Sequence, residues 1–112
     1  MSQWPSIVDS QGEKTNPTTT TVMADTGVVG TGVYDVTAVL AAAANAQFQI
    51  QHRNAANDGA ASDAVVVYVL ANDSRVVTLR FACTARSERF RVMMDGNLTG
   101  VGVASIEAHR VD

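Results

Sequence analysis

Residues 47–53 read QFQIQHR, a run in which larger, mostly apolar side chains alternate with polar ones. In an extended chain, Phe48, Ile50 and His52 fall on one face, and the glutamines and Arg53 fall on the other. Because successive side chains of a β-strand point to opposite faces, this alternation predicts a strand with one buried face. The buried face is the one that carries Phe48 and Ile50.

Similar short runs precede and follow this strand and are separated by turn residues. We predict further strands near residues 33–40, 65–70, 75–85, 88–94 and 101–111. Residues 65–70 are apolar on both faces, so we expect this strand to be covered on both sides. Short β-rich runs of this kind predict an all-β fold, an antiparallel β-sandwich or jelly roll.

Residues 1–26 differ from the rest of the chain because they contain both prolines, a run of four threonines and few apolar side chains. We predict an extended N-terminal arm over residues 1–26 and a β-sandwich domain over residues 27–112. The end of the arm has strand propensity and is expected to pair along a sheet edge. Trp4, the only tryptophan, either folds back onto its own domain or anchors in a neighbouring subunit, as interface tryptophans often do.

The composition favours a single domain that assembles. The chain has 112 residues, of which 46% are hydrophobic but only 5% aromatic. Charged residues make up 17% of the chain, against about 25% in typical soluble domains. Low surface charge is expected where neighbouring subunits cover the surface. The net charge of −3 argues against nucleic acid as a partner, since phosphate binding needs a positive field.

We expect the protein to fold in a cytoplasm and not to enter a membrane. A lone cysteine, Cys83, cannot form an internal disulfide, so a disulfide-stapled secreted scaffold is excluded. The first residues, MSQWP, show neither the basic start nor the apolar run of a signal peptide. No segment approaches the roughly 20 apolar residues of a membrane span.

No set of residues in the sequence predicts catalysis, a cofactor or a metal. His52 is expected to be a buried structural histidine, and His109 lies near the C-terminus beside Glu107. One cysteine without a close histidine pair does not resemble a zinc site. Cys83 is expected to be an inert buried thiol, because nothing near it in sequence supplies a base and an orienting group. We therefore expect no enzyme activity, no cofactor site and no metal site.

Five arginines are concentrated in two successive predicted strands, at positions 75, 80, 86, 89 and 91. They form a local basic stripe in an otherwise acidic protein. The stripe either meets carboxylates of an adjacent subunit or partner, or it is a solvated outer face paired with nearby Glu88 and Asp73.

Four segments resemble small β-sandwich proteins found among tailed-phage virion components. They are GVYDV at residues 32–36, QHRNAAN at 51–57, SERFRV at 87–92 and LTG at 98–100. The resemblance covers roughly residues 20–111, and TNF/C1q-like jelly rolls have a similar pattern. It implies a capsid decoration (cement) protein, commonly a homotrimer, which binds the phage head shell and stabilises it.

Under this resemblance, the partners are the major capsid protein and copies of the chain itself, and the location is the capsid surface of the virion. The expected interface residues are Trp4, Ile7, Val8, Arg80, Arg89 and Arg91. One alternative is a tail-fibre or C1q-like receptor head that holds a glycan in the loop over residues 54–62. Another is a tail or connector component that forms rings.

Overall fold

The computed structural model describes residues 4–54, 61–84 and 88–112, and nine strands lie within these ranges. The strands are β1 (Ile7–Ser10), β2 (Lys14–Thr15), β3 (Val22–Val28), β4 (Gly32–Ala42), β5 (Ala46–Asn54), β6 (Ala61–Val69), β7 (Asp73–Cys83), β8 (Glu88–Met94) and β9 (Val101–Arg110). No helix in the described part of the chain is long and apolar enough to cross a membrane.

The strands form two antiparallel sheets that pack face to face. Sheet A has the order β1-β9-β4-β7, with the short β2 also paired to β9, and sheet B has the order β3-β8-β5-β6. Strands that follow one another in the chain often lie in opposite sheets, as in a jelly roll. The predicted all-β antiparallel sandwich of the jelly-roll type is confirmed.

The core lies between the sheets and is built from the side chains that the alternation placed inward. Residues at every second position are buried in β4 (Tyr34, Val36, Ala38, Leu40), in β5 (Phe48, Ile50, His52) and in β8 (Phe90, Val92, Met94). Facing strand β9 contributes smaller side chains, Ala104, Ile106 and Ala108. Small residues on one sheet opposite aromatic ones on the other allow the layers to interdigitate without large cavities.

The structure places most of the predicted N-terminal arm within the two sheets. Strand β1 pairs with β9 in sheet A, and β3 pairs with β8 at the edge of sheet B. Met23 and Ala24 have no solvent exposure, so they are core residues. The boundary expected at residue 27 therefore falls inside β3, whereas the expected pairing of the arm's end along a sheet edge is confirmed.

Hydrogen bonds close the sandwich on the side where β1 and β3 lie. The Asp9 carboxylate accepts a hydrogen bond from the backbone N–H of Asp25 at 2.8 Å, which joins the edge of sheet A to the edge of sheet B. Further along, the N–H of Leu98 donates to the carbonyl oxygen of Pro17 at 2.9 Å. Residues 7–28 are thus integral to the domain, because removing them would uncover the edges of β8 and β9.

Candidate functional site

The opposite side of the sandwich, formed by the last strands of the two sheets, is apolar and exposed. We call it the open edge and define it by Val65, Val66, Tyr68 and Leu70 of β6 and the turn that follows it. Tyr68 and Leu70 are 60% and 66% exposed. The expectation that this strand is covered on both sides is wrong for the isolated chain, because β6 is an edge strand and only Val67 and Val69 are buried.

The core reaches the surface at the open edge. Val77, Leu79 and Phe81 of β7 point toward the core, but they are only partly buried, unlike their partners on β4. Apolar side chains that remain accessible to water at the margin of a core gain free energy when a further surface covers them. The open edge is therefore a candidate contact surface.

A second apolar surface lies next to the open edge, on the outer face of sheet A. We call it the sheet A face and define it by Val39 and Val76, together with Thr37 and Thr78. Glu107 of β9 separates this surface from the exposed Val8 of β1. Val39 and Val76 are direct cross-strand partners, and Val8 and Val76 are more than 60% exposed. The hydroxyls of Thr37 and Thr78 are 3.0 Å apart, so they partly satisfy each other. The side chains that define the face are small.

The outer face of sheet B is different along β5, because its glutamine and arginine side chains bond to one another. Gln49 donates to Asp95 at 2.6 Å, Gln51 donates to Gln49 at 2.8 Å, and Arg53 donates to Gln51 at 2.9 Å. These side chains lie on the outward face that the alternation predicts, yet Gln51 and Arg53 are buried rather than solvated. A surface whose polar groups already bond one another gains little from a partner.

The predicted arginine stripe does not exist as one surface. Arg80 lies on the sheet A face, where its guanidinium binds Asp35 with two hydrogen bonds of 2.7 and 3.1 Å. Arg89 and Arg91 lie on the opposite sheet and both donate to Asp25 at 3.0 Å. Arg75 donates to the carbonyl oxygen of Tyr68, and position 86 lies outside the described residues. The jelly roll separates β7 from β8, so these arginines form separate intramolecular contacts.

Ile7 and Val8 lie on the two faces of β1, with Ile7 half-buried and Val8 exposed. The Trp4 indole N–H donates to the carbonyl oxygen of Asp112 at 3.3 Å, and the Arg110 guanidinium lies 4.2 Å from the centre of the indole ring. Within one chain, Trp4 thus folds back onto its own domain, which is one of its two predicted placements. Its role at an interface, and those of Ile7, Val8, Arg80, Arg89 and Arg91, stay predictions.

Three polar side chains meet inside the sandwich, and no motif in the sequence groups them. His52 Nε2 lies 2.7 Å from a carboxylate oxygen of Glu88 and 3.6 Å from the sulfur of Cys83. All three residues are buried, and the imidazole packs against the rings of Phe81 and Phe90, whose centroids each lie 5.3 Å from its own. Burial, with a smaller effect from the Glu88 charge, raises the pKa of Cys83 to about 12. The thiol is therefore protonated at neutral pH, as expected for an inert buried cysteine.

A groove of about 480 Å³ lies at the end of sheet A near the turn after β6. Its floor is formed by Ala41–Ala43 and Val101, and Glu13 and Asp73 lie at its rim. It is open to solvent, and its walls are mostly small side chains. The loop over residues 54–62, which the sequence analysis considered for a glycan, lies largely outside the described residues.

Comparison with known proteins identifies a structural neighbour but no sequence relative. The chain matches no protein-family model and no curated protein sequence. It is similar to the structure titled "Globular Domain of Zebrafish Complement 1qA protein", with a TM-score of 0.66, 97% of this chain covered and 98% of that one. The fold is C1q-like. Sequence identity is 7%, so the likeness shows the fold alone, and the expected TNF/C1q-like jelly roll is confirmed at that level.

The stability of the fold depends in part on one half-buried carboxylate, that of Asp25, which gives a pH-dependent prediction. Desolvation acts to raise the pKa of Asp25, but the Gly27 N–H and the guanidinium groups of Arg89 and Arg91 outweigh it and hold the pKa below 3.8. A carboxyl group with a lowered folded-state pKa stabilises the fold above its unfolded pKa. That contribution is lost as pH falls through the folded pKa.

We expect Asp25→Asn to lower the free energy of unfolding at neutral pH by about 1–3 kcal/mol, since charge-assisted hydrogen bonds to two arginines are lost. Wild-type stability should fall from about pH 5 downward, and the variant should lose less over the same interval. Urea unfolding measured across this interval checks both points. Asp73→Asn, at the exposed first residue of β7, is the control, and equal pH slopes for the wild type and Asp25→Asn would contradict the prediction.

Proposed function

We propose that this chain is a non-catalytic structural module that assembles with copies of itself into a homotrimer. The observation that carries the proposal is the open edge, where Tyr68 and Leu70 are exposed and the core side chains of β7 are only half-buried. An isolated domain with this surface exposes apolar area next to its core. A second copy is the occupant that we propose for it.

The partner surface within the second copy is the sheet A face. It is made of small valine and threonine side chains, which let a protruding edge approach closely. The outer face of β5 in sheet B offers no comparable surface, because Gln49, Gln51 and Arg53 bond to one another and to Asp95. Contact between the open edge of one copy and the sheet A face of the next is heterologous, and such contacts close into a ring when the rotation allows. Three copies is the number that the family resemblance implies.

We expect Val76→Lys to dissociate the oligomer, since the change places an unpaired charge where the sheet A face meets the open edge. The molar mass by light scattering should fall to that of a single chain, while the circular dichroism spectrum stays that of a β-protein.

Val28→Lys is the matched control, because Val28 is also an exposed valine but lies on β3, at the far side of the sandwich. It should leave the oligomer intact. A wild-type protein that is monomeric at high concentration, or two variants that dissociate equally, would contradict the proposed contact.

For the role of the oligomer, we propose the decoration of a tailed-phage head shell, at the capsid surface of the virion. The support is the sequence resemblance over residues 20–111 and an acidic, sparsely charged chain that suits burial in an assembly. The alternative is a receptor-binding or glycan-binding head, which the C1q-like fold also suits.

Co-sedimentation with empty phage head shells separates these roles. A decoration protein is expected to pellet with the shells at a fixed ratio to the major capsid protein, because many weak contacts act together on a repeating surface. Trp4→Ala and Val8→Lys should weaken pelleting if the predicted N-terminal contacts are correct. An oligomer that ignores the shells and is retained on immobilised glycans would favour the alternative.

A further inference from the structure

The buried cluster of His52, Cys83 and Glu88 brings three metal-ligand side chains from both sheets to one point. His52 on β5 and Glu88 on β8 lie on neighbouring strands of sheet B, and Cys83 comes from the end of β7 in sheet A. Their donor atoms, an imidazole nitrogen, a sulfur and a carboxylate oxygen, all lie within 4.8 Å of one another. An ion held there would connect the two sheets.

The arrangement of the three donors differs from that of a catalytic relay. In a cysteine–histidine–carboxylate relay, the sulfur and the carboxylate contact different nitrogens of the imidazole ring. Here the sulfur of Cys83 and the oxygen of Glu88 both lie next to the same nitrogen, Nε2 of His52. Three donors that converge on one point are typical of a coordination site.

The distances from His52 to the other two donors can be compared with those of tetrahedral coordination. Metal bonds of about 2.3 Å to sulfur and 2.0–2.1 Å to nitrogen place these two atoms about 3.6 Å apart in a tetrahedron. The sulfur of Cys83 and Nε2 of His52 are 3.6 Å apart. Nε2 and the Glu88 oxygen are 2.7 Å apart, a hydrogen-bond distance. They would need to separate to about 3.3 Å, a shift within the reach of a carboxylate side chain.

Charge balance favours a divalent ion. A thiolate, a carboxylate and a neutral imidazole carry two negative charges in total, so a divalent cation leaves the site neutral. Neutrality matters here because the cluster is buried against Phe81 and Phe90, where a net charge is costly. The ligand set combines sulfur, nitrogen and oxygen, which suits zinc better than magnesium or calcium.

We propose that His52, Cys83 and Glu88 form a buried zinc site that joins the two sheets. On binding, the metal forms a bond to the Cys83 sulfur in place of the thiol proton, which is released to solvent. Three protein ligands leave a fourth coordination position for water or another small ligand. This inference is independent of the proposed assembly, since none of the three residues lies on the open edge or the sheet A face.

Cobalt(II) is the probe, because its spectrum reports the ligands. The full chain, stripped of metal with a chelator, is titrated with cobalt chloride alone. We expect a sulfur-to-cobalt charge-transfer band and intense visible bands of tetrahedral cobalt, both lost when zinc chloride is added in one equivalent. Cys83 is the only cysteine, so the charge-transfer band can come from no other residue. Zinc alone should raise the melting temperature.

Substitutions test each ligand separately. Cys83→Ser should abolish the charge-transfer band. His52→Gln and Glu88→Gln should weaken cobalt binding by at least about tenfold, the smallest loss that even outer-sphere partners of a metal site produce. His109→Gln and Glu107→Gln are matched controls on the outer face of sheet A and should bind cobalt as the wild type does.

The proposal fails if the wild-type protein gives no charge-transfer band at one equivalent of cobalt. It also fails if the band persists with unchanged affinity in His52→Gln and Glu88→Gln, since the metal would then bind an isolated thiol. The wild-type spectrum decides the matter even if a variant does not fold. Circular dichroism of each metal-free variant identifies those that do.

Discussion

The fold depends on two sheets that close over a core with few aromatic side chains. They close more completely on one side of the sandwich than on the other. On the side of β1 and β3, hydrogen bonds such as that from the Asp25 N–H to Asp9 join the two sheets. On the side of β6 and β7, the sheets end in two edge strands, and the side chains of Leu79 and Phe81 stay half-buried. The same asymmetry that leaves the core incomplete provides the surface for assembly.

Polar groups are arranged to match this asymmetry. Sheet B carries a row of glutamines and arginines on β5 and β8 that bond one another and two aspartates, so this part of its outer face needs no partner. Sheet A carries valines and threonines on its outer face, with the exposed pair of Asp35 and Arg80 at one end. His52, Cys83 and Glu88 form a cluster of polar side chains inside the sandwich. The polar face of sheet B is therefore suited to solvent, the outer face of sheet A to contact with another copy, and the buried cluster to binding an ion.

The sequence predicted the long strands well because burial of one face leaves a period of two. This holds for β5, in which Phe48, Ile50 and His52 were placed on one face and are buried. It failed for β1 and β2, since strands of four and two residues contain too few alternations to detect. The arginine stripe was wrong because β7 and β8 follow one another in the chain but lie in opposite sheets, which local pattern does not reveal.

The His52, Cys83 and Glu88 cluster escaped the sequence analysis for a related reason. Cys83 lies 31 residues from His52, and only the facing of the two sheets brings them together. A search for ligands close in sequence cannot find such a set. One signal was available in the sequence. His52 is a polar residue on the otherwise apolar inward face of β5.

Chemical cross-linking between two different variants tests most directly whether the open edge packs against the sheet A face of another copy. In a Cys83→Ser background, Ala71→Cys places a thiol beside the open edge, and Glu107→Cys places one on the outer face of sheet A. After the two variants are mixed and reassembled, a short bis-maleimide should yield covalent dimers in the mixture and not in either variant alone. Dimers within each separate variant, or none in the mixture, would contradict the account.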